Sequence, residues 1–372
     1  MNILFLEPFY HGSNKAFLEG FRQHSRHQVY PLTVTLHSTL WKSFGLSITL
    51  AQRLQAIQEE FDLVVASSQT NLSALVALTN PRFAHTPLVL YMHENLFSEP
   101  LPPGKERNLA NAYMSYLSAL SADSVLFNSH FHLETFFETI PAYFREFPEY
   151  QPQGSLQELR KRSEVLHPGL SLRAHDSIPD NRMNNTVPVI LWNQRWDYEK
   201  DPAKFFRIMN RLDDAGFQFE LILAGDNRGE RPPEFEKALV RYGNRIRHIG
   251  FVDDFQSYSK LLHTADYVVS TARHEFFPGS ILEAMYCGCH PFLPFDLTYP
   301  ELIPEGLRRP LLHAQVLYNN EDELFDHIRA VLRGDKKGLP KQSLQNVCRA
   351  FDWNRQIHRF DALLDEIKER GT

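Results

Sequence analysis

Continuous apolar runs, rather than runs alternating with polar residues, punctuate this chain. The first covers residues 2–6 (Ile3-Leu4-Phe5-Leu6), stops at Glu7, and leads through the turn-forming cluster His11-Gly12-Ser13-Asn14 into a helical pattern from about Lys15. Similar runs occupy residues 61–66, 87–92 and 123–128, with helix-length segments at 46–60 and 109–120 between them. A strand without a polar face has to be covered on both sides, so strands of this kind alternating with helices predict a parallel sheet between two helix layers. Between residues 170 and 187 the apolar signal gives way to Arg173, His175, Asp176, Asp180, Asn181, Arg182, Asn184 and Asn185, with Pro179 inside the stretch and Pro188 just after it, which reads as a domain linker. A second series of the same kind follows at 189–192, 219–224, 246–251, 266–270 and 289–293.

The expected fold class is therefore α/β, with two doubly wound Rossmann-like lobes facing each other across a cleft, where such sheets take ligands at their strand carboxyl ends. The lobes are expected at 1–175 and 186–345. In the remaining segment, 346–372, Ile357, Phe360, Leu363, Leu364 and Ile367 have the spacing of a helix that docks on a lobe. A length of 372 residues suits two domains. With 39 Lys+Arg against 45 Asp+Glu, the net charge of −6 excludes binding of a polyanion by bulk charge, so any nucleic acid has to be held by a local patch. Arg160-Lys161-Arg162, Arg308-Arg309 and Lys336-Lys337 are the short basic clusters on offer, and such clusters are usually solvated faces. No apolar run reaches the length of a membrane span, and the N-terminal run ends too early for a signal peptide. Three cysteines, two of them at 287 and 289, do not make a disulfide framework. A soluble protein of the reducing cytoplasm is expected.

The stretch 274–288, His-Glu-Phe-Phe-Pro-Gly-Ser-Ile-Leu-Glu-Ala-Met-Tyr-Cys-Gly, directly follows a predicted strand. Pro278 and Gly279 open a helix and Gly288 closes it, so Glu275 and Glu283 flank one helix N-terminus, at Gly279 and Ser280. Such a terminus presents unpaired N–H groups to a phosphate, while carboxylates accept hydrogen bonds from sugar hydroxyls. A second loop at a strand end, Trp192-Asn193-Gln194-Arg195-Trp196-Asp197-Tyr198-Glu199-Lys200, carries Arg195 and Lys200, two cations able to meet on one diphosphate. A third strand end carries Tyr91-Met92-His93-Glu94-Asn95 and points His93 to the crevice. Cys287-Gly288-Cys289-His290 is half a zinc site without a second half, and no G-x-G-x-x-G opens either lobe. A glycosidase needs two carboxyls about one bond, whereas here the cations imply a nucleotide leaving group.

Glu275 and Glu283, separated by seven residues and followed by Ala284-Met285, resemble the E-x7-E signature of retaining GT-B glycosyltransferases. The resemblance implies that Glu275 contacts the donor sugar, Glu283 the ribose, and Arg195 and Lys200 the departing diphosphate. It further implies that His93 touches the sugar and that Gly12 and Ser13 approach the diphosphate and acceptor. Gly250 and Phe251 would lie at the base, and Gly279 and Ser280 at the phosphates. Phe127-Asn128-Ser129, His274-Glu275-Phe276-Phe277, Tyr286-Cys287-Gly288-Cys289 and Tyr299-Pro300-Glu301, with the opening Glu7-Pro8-Phe9-Tyr10, are similar to one branch, the tRNA-queuosine mannosyltransferases. That branch implies transfer of mannose from GDP-mannose to queuosine at the wobble position of tRNA-Asp, without a metal or other cofactor and without a membrane partner. A lipid or small-molecule acceptor, or a non-catalytic nucleotide-sugar or RNA-binding protein, are the rival readings. Pro278 stands where the branch usually has glycine, His11 replaces a glycine, Leu96 replaces a glutamine, and the basic-tryptophan feature is reduced to Trp41-Lys42.

Overall fold

The computed structural model describes residues 1–34, 45–145, 147, 149, 152–225, 232–308 and 310–370. Trp41-Lys42 and Arg309 lie outside the described residues. Two units divide the chain: Met1–Glu99 with Lys105–Leu170 and Trp353–Thr372, and Pro100–Gly104 with Ser171–Asp352.

In the first unit six parallel strands run in the order β2-β1-β3-β4-β5-β6, with β1 Asn2–Glu7, β2 Gln28–Thr33, β3 Leu63–Ser67, β4 Leu88–Met92, β5 Ser124–Phe127 and β6 Ser163–Val165. The apolar runs of the sequence become β1, β3, β4 and β5, the four inner strands. Their alternate residues enter two different cores. Leu4, Leu6, Val64, Ala66, Leu88 and Leu90 face one side, and Ile3, Phe5, Leu63, Val65, Val89 and Tyr91 the other. The two edge strands escaped the apolar pattern. β2 contains Pro31, tolerable where one side of a strand has no partner, and β6 has only three residues.

The helix Trp353–Arg370 packs on the second of these cores, through Trp353, Ile357, Phe360, Leu364 and Ile367. The Asp361 carboxylate accepts bonds from Ser25 Oγ at 2.6 Å and Arg26 N at 3.0 Å, tying this helix to the turn before β2. The expected docking helix therefore belongs to the first unit. Its indole sits against two glycines. A Cβ on Gly20 would lie 1.9 Å from Trp353 Nε1, and one on Gly169 2.2 Å from Trp353 Cδ2. Gly169→Ala is expected to lower stability by about 1–3 kcal/mol through overpacking, read as a lower urea midpoint with an unchanged m-value.

The second unit has the order β12-β11-β10-β7-β8-β9, with β7 Val189–Trp192, β8 Glu220–Ala224, β9 Ile246–Gly250, β10 Tyr267–Val269, β11 His290–Pro294 and β12 Leu317–Tyr318. The polar stretch read as a linker is not an open one. Its short turns Leu172–Ser177 and Arg182–Asn184 belong to this unit, where His175 Nδ1 meets Ser259 Oγ at 2.8 Å and Arg182 Nε donates to Ala265 O at 2.6 Å. Asn185 Nδ2 donates to Asp266 Oδ2 at 2.9 Å, and Tyr286 Oη to the Asp176 carboxylate at 3.0 Å. Polar residues bonded to a neighbouring element leave the same trace in a sequence as polar residues in water, so the boundary moves to Leu170.

Each sheet has one place where the strand order reverses about its first strand. In the first unit it lies between β1 and β3, in the second between β7 and β10. Ligands of open parallel sheets bind outside the strand carboxyl ends at such points. Among the described residues no helix is long and apolar enough to cross a membrane.

Candidate active site

At the reversal of the second sheet, β7 leads into Asn193-Gln194-Arg195-Trp196-Asp197, then the single turn Tyr198–Lys200 and the helix Pro202–Asp214. Asp197 caps the turn by accepting Lys200 N at 3.3 Å, and Asp201, at φ 48°, caps the helix by accepting Lys204 N at 3.0 Å. Thr271, just past β10, donates its hydroxyl to the carbonyls of Lys200 and Asp201 at 2.9 and 3.0 Å. The Lys200 backbone is thereby fixed over the end of β10. Its Nζ donates to Glu275 Oε2 at 2.8 Å and to His274 O at 3.0 Å, with the two side chains only 10% and 14% exposed. Two of the residues singled out in the sequence thus form one nearly buried ion pair. Arg195 behaves differently: half exposed, it pairs with Asp197 at 3.3 Å and Glu199 at 2.9 Å. Each cation is engaged by carboxylates of its own.

The helix Gly279–Cys287 starts after Pro278, whose carbonyl accepts the N–H groups of Ile281 and Leu282 at 3.1 Å, and it ends at Gly288 with φ 106°. Asn193 Nδ2 donates to Ser280 O at 2.8 Å and to Tyr258 Oη at 3.2 Å, and Tyr258 Oη donates to Glu283 Oε2 at 3.0 Å. Glu283 is reached by a hydroxyl but not by a cation in any ion pair among the described residues. Burial pushes its carboxyl up to about 7, against the smaller opposing effect of the Tyr258 bond. A second network stiffens the same edge. Gln194 Nε2 donates to Ser270 Oγ at 3.0 Å, and Ser270 Oγ shares a 2.6 Å bond with Tyr299 Oη. Tyr299 of the Tyr-Pro-Glu motif therefore acts through the β10 end. Sequence reasoning missed Asn193, Gln194, Tyr258 and Thr271. The available signal was the polar pair Asn193-Gln194 directly after the apolar β7.

At the end of β9, Gly250 has φ 125° and its carbonyl accepts Gly225 N at 2.9 Å, while the Phe251 ring is 64% exposed. Gly225 is itself required by close approach, since a Cβ there would lie 2.0 Å from Gln194 O.

In the first unit Gly12, at φ 53°, and Ser13 open the helix Gly12–His24 and are exposed, with His11 giving no side-chain cap bond. Leu96 packs against the core of this unit. His93 lies just past β4, edge-on to Phe17 at 5.0 Å and to Tyr91 at 4.8 Å, and its N–H donates to Ser68 Oγ at 3.3 Å. Burial lowers the imidazole to about 4, so it is neutral at physiological pH, and its buried Nε2 has no hydrogen-bond partner. Other motif residues have local tasks. Asn128 Nδ2 donates to His93 O at 3.2 Å, and Ser129 caps the helix His130–Phe144. Burial holds the Cys289 thiol up at about 12 and pushes His290 down to about 3, and His290 Nδ1 accepts Leu339 N at 3.0 Å. No group of three metal ligands occurs among the described residues. The basic clusters are held locally. Arg160 bonds Glu134 at 2.7 Å, Lys161 bonds Glu158 at 2.6 Å, Arg308 donates to Ile303 O at 2.9 Å, and Lys336 donates to Leu311 O at 2.7 Å.

Residues 2–170 match the family described as tRNA-queuosine alpha-mannosyltransferase N-terminal, and residues 187–334 match glycosyl transferases group 1. A tRNA-queuosine alpha-mannosyltransferase of Drosophila melanogaster is 29% identical over 315 residues, 82% of each chain. The chain is a glycosyltransferase similar to the tRNA-queuosine alpha-mannosyltransferases. The human alpha-1,3/1,6-mannosyltransferase ALG2 is 25% identical over 254 residues, covering 62% of this chain and 56% of its own length. In fold, this glycosyltransferase is similar to the Anabaena protein HepE in complex with UDP and glucose, at TM-score 0.70 and 18% identity over 98% of this chain and 99% of that one. It is likewise similar to sucrose-phosphate synthase of Thermosynechococcus elongatus, at TM-score 0.73 and 14% identity over the whole of both chains. The architecture is GT-B. The two family matches fall on the two sheets, and the docking helix Trp353–Arg370 lies beyond both.

Proposed function

We propose that this glycosyltransferase moves mannose from GDP-mannose to the cyclopentene diol of queuosine at the wobble position of tRNA-Asp, with retention of anomeric configuration. The observation that carries this reading is the Lys200–Glu275 pair at the β7/β10 reversal, in a chain whose first 170 residues match the queuosine family. The ligand-free pair is an exchange device. When a donor arrives, a sugar hydroxyl takes the Glu275 carboxylate and a phosphate oxygen takes Lys200 Nζ, so neither charge is left uncompensated. Arg195 turns from Glu199 to the same diphosphate, beside the helix start at Gly279 and Ser280. Glu283 accepts the ribose hydroxyls, Gly250 and Phe251 flank the base, and His93 contacts the mannose. Gly12 and Ser13 serve the acceptor side.

As the bond from C1 to the diphosphate oxygen breaks, the acceptor oxygen bonds C1 on the same face and its proton passes to the departing phosphate oxygen. Lys200 and Arg195 stabilise the charge that grows on this leaving group without a resident metal, and turnover is expected to survive EDTA.

Labelled GDP-mannose incubated with queuosine-containing and queuosine-free tRNA-Asp tests the reading. Label is expected only in the queuosine-containing tRNA. Transfer to a lipid or small-molecule glycoside instead would overturn the acceptor, and tight donor binding without transfer would overturn the enzyme.

A further inference from the structure

The reversal of the first sheet, between β1 and β3, carries two polar groups that the reading above does not use. Glu7 ends β1 and Ser67 ends β3, one step beyond the paired residues Leu6 and Ala66, and both are 0% exposed. Strand alternation places them on one face: Glu7 follows Ile3 and Phe5, Ser67 follows Leu63 and Val65, and His93 follows Val89 and Tyr91. The helix Gly12–His24 covers that face, with Phe17 against Tyr91 and His93, and Asn14 Nδ2 3.5 Å from Glu7 Oε1. Glu7 Oε1 also accepts Phe9 N at 2.8 Å. The opposite atoms are unmatched. Glu7 Oε2, Ser67 Oγ and His93 Nε2 are all buried without a hydrogen-bond partner. Ser67 is near enough to weigh on the Glu7 carboxyl, yet no bond of normal geometry joins them.

Buried polar atoms without partners are rare in folded proteins, and here two stand at the reversal point, where such sheets take ligands, with the third on the same face one strand further on. The chemistry of the three narrows its class. A carboxyl, a hydroxyl and a neutral imidazole offer acceptors and no fixed cation, which disfavours a phosphate and suits hydroxyl donors. Adjacent strands lie about 4.8 Å apart, so groups in register on β1 and β3 can meet two neighbouring oxygens of one ring.

We propose that Glu7 and Ser67 position the acceptor through the two vicinal hydroxyls of its diol, Glu7 Oε2 accepting from the hydroxyl that is not glycosylated and Ser67 Oγ donating to the oxygen of the one that is. This rests on the acceptor reading above and deepens it. Asn14, against Glu7, and His93 keep part of their surface in solvent, whereas Glu7 and Ser67 are fully covered in the ligand-free protein. Burial raises the Glu7 carboxyl, and a hydroxyl donated to Oε2 relieves it.

The test is a cycle between protein and acceptor. Wild type, Glu7→Gln and Ser67→Ala are assayed on queuosine tRNA and on the same tRNA lacking the hydroxyl that is not glycosylated. In Glu7→Gln the amide oxygen stays with Phe9 N–H, which leaves an NH2 where Oε2 stood. Removing the hydroxyl is expected to lower wild-type kcat/KM roughly 10–100-fold, and Glu7→Gln to lose as much on the intact acceptor but little more on the deoxy one. GDP-mannose affinity should change less than about twofold. Should Glu7→Gln fail to fold, Ser67→Ala carries the comparison by binding instead of turnover: the loss of queuosine-tRNA affinity it causes should disappear on tRNA lacking the hydroxyl that is glycosylated. Losses that simply add, or an equal fall in donor affinity, overturn the assignment while the acceptor reading stands. No transfer to queuosine tRNA by the wild type overturns that reading and this assignment together.

Discussion

Lys200→Ala is expected to lower kcat/KM for transfer by roughly 100–1,000-fold, the cost of removing one preorganised group aimed at developing charge. The structure adds a consequence for folding that sequence reasoning did not anticipate. From the sequence, Lys200 reads as a loop cation whose loss spares stability. In the folded protein its Nζ is bonded to Glu275 Oε2 and His274 O, and both partner side chains are nearly buried. Removing one member of such a pair strands the other, a loss of about 3–5 kcal/mol when the pair is fully buried and less at the residual exposure here. Activity and stability then fall together, and an assay alone does not separate them. Lys200→Met with Glu275→Gln does: the double variant recovers the urea midpoint toward wild type because no charge is left unpaired, while turnover stays at or below the level of Lys200→Ala. Lys200→Arg is not expected to rescue, because a planar guanidinium does not reproduce a compact ammonium held between a carboxylate and a carbonyl. Wild-type turnover in Lys200→Ala would remove this residue from the chemistry.

The inner strands were legible because burial on both faces leaves a continuous apolar run, as in Leu63-Val64-Val65-Ala66. Edge strands have no such requirement, and β2, with Gln28 and Pro31, and the two-residue β12 passed unnoticed for that reason. Arg195, Lys200 and Glu275 could be picked out because each lies in a segment that follows an apolar strand, where an α/β sheet takes its ligands, and Glu283 by its spacing from Glu275. What the sequence could not show is their pairing. Whether Lys200 meets Glu275 or Asp197 depends on Thr271 fastening the Lys200 and Asp201 carbonyls, a contact across 70 residues. Nor does a sequence distinguish a carboxylate with a cation from one without. Glu275 and Glu283 look alike in the motif, yet one is held by an ammonium and the other by a tyrosine hydroxyl in a buried setting.

That difference makes Glu283 the pH-sensitive member of the pair. Its carboxyl lies at about 7, raised by burial from an ordinary 4.5, so in the free protein it is largely protonated at pH 6 and largely ionised at pH 8. Tyr258 donates to one of its oxygens, Asn193 reaches it only through Tyr258, and the neighbouring Cys287 thiol is pushed up and neutral across this range. Two ribose hydroxyls need acceptors, which the ionised form supplies, so GDP-mannose affinity is expected to rise with pH up to about 7 and then level. Binding near pH 6 should release a proton, seen by calorimetry in buffers of different ionisation enthalpy. Glu283→Gln is expected to weaken the donor roughly 10–100-fold at pH 8 and to abolish the slope. For stability the sign is opposite. A carboxyl whose folded pKa lies above its unfolded value contributes fully below about 4.5, and that contribution is lost as pH rises through about 7. Glu283→Gln should therefore gain stability relative to wild type as pH goes from 5 to 8, over the same interval in which its binding defect grows. A residue kept for packing alone would lose on both counts, and a buried carboxylate kept at a cost to the fold is what a ligand site requires. Donor affinity independent of pH in the wild type would separate Glu283 from the ribose.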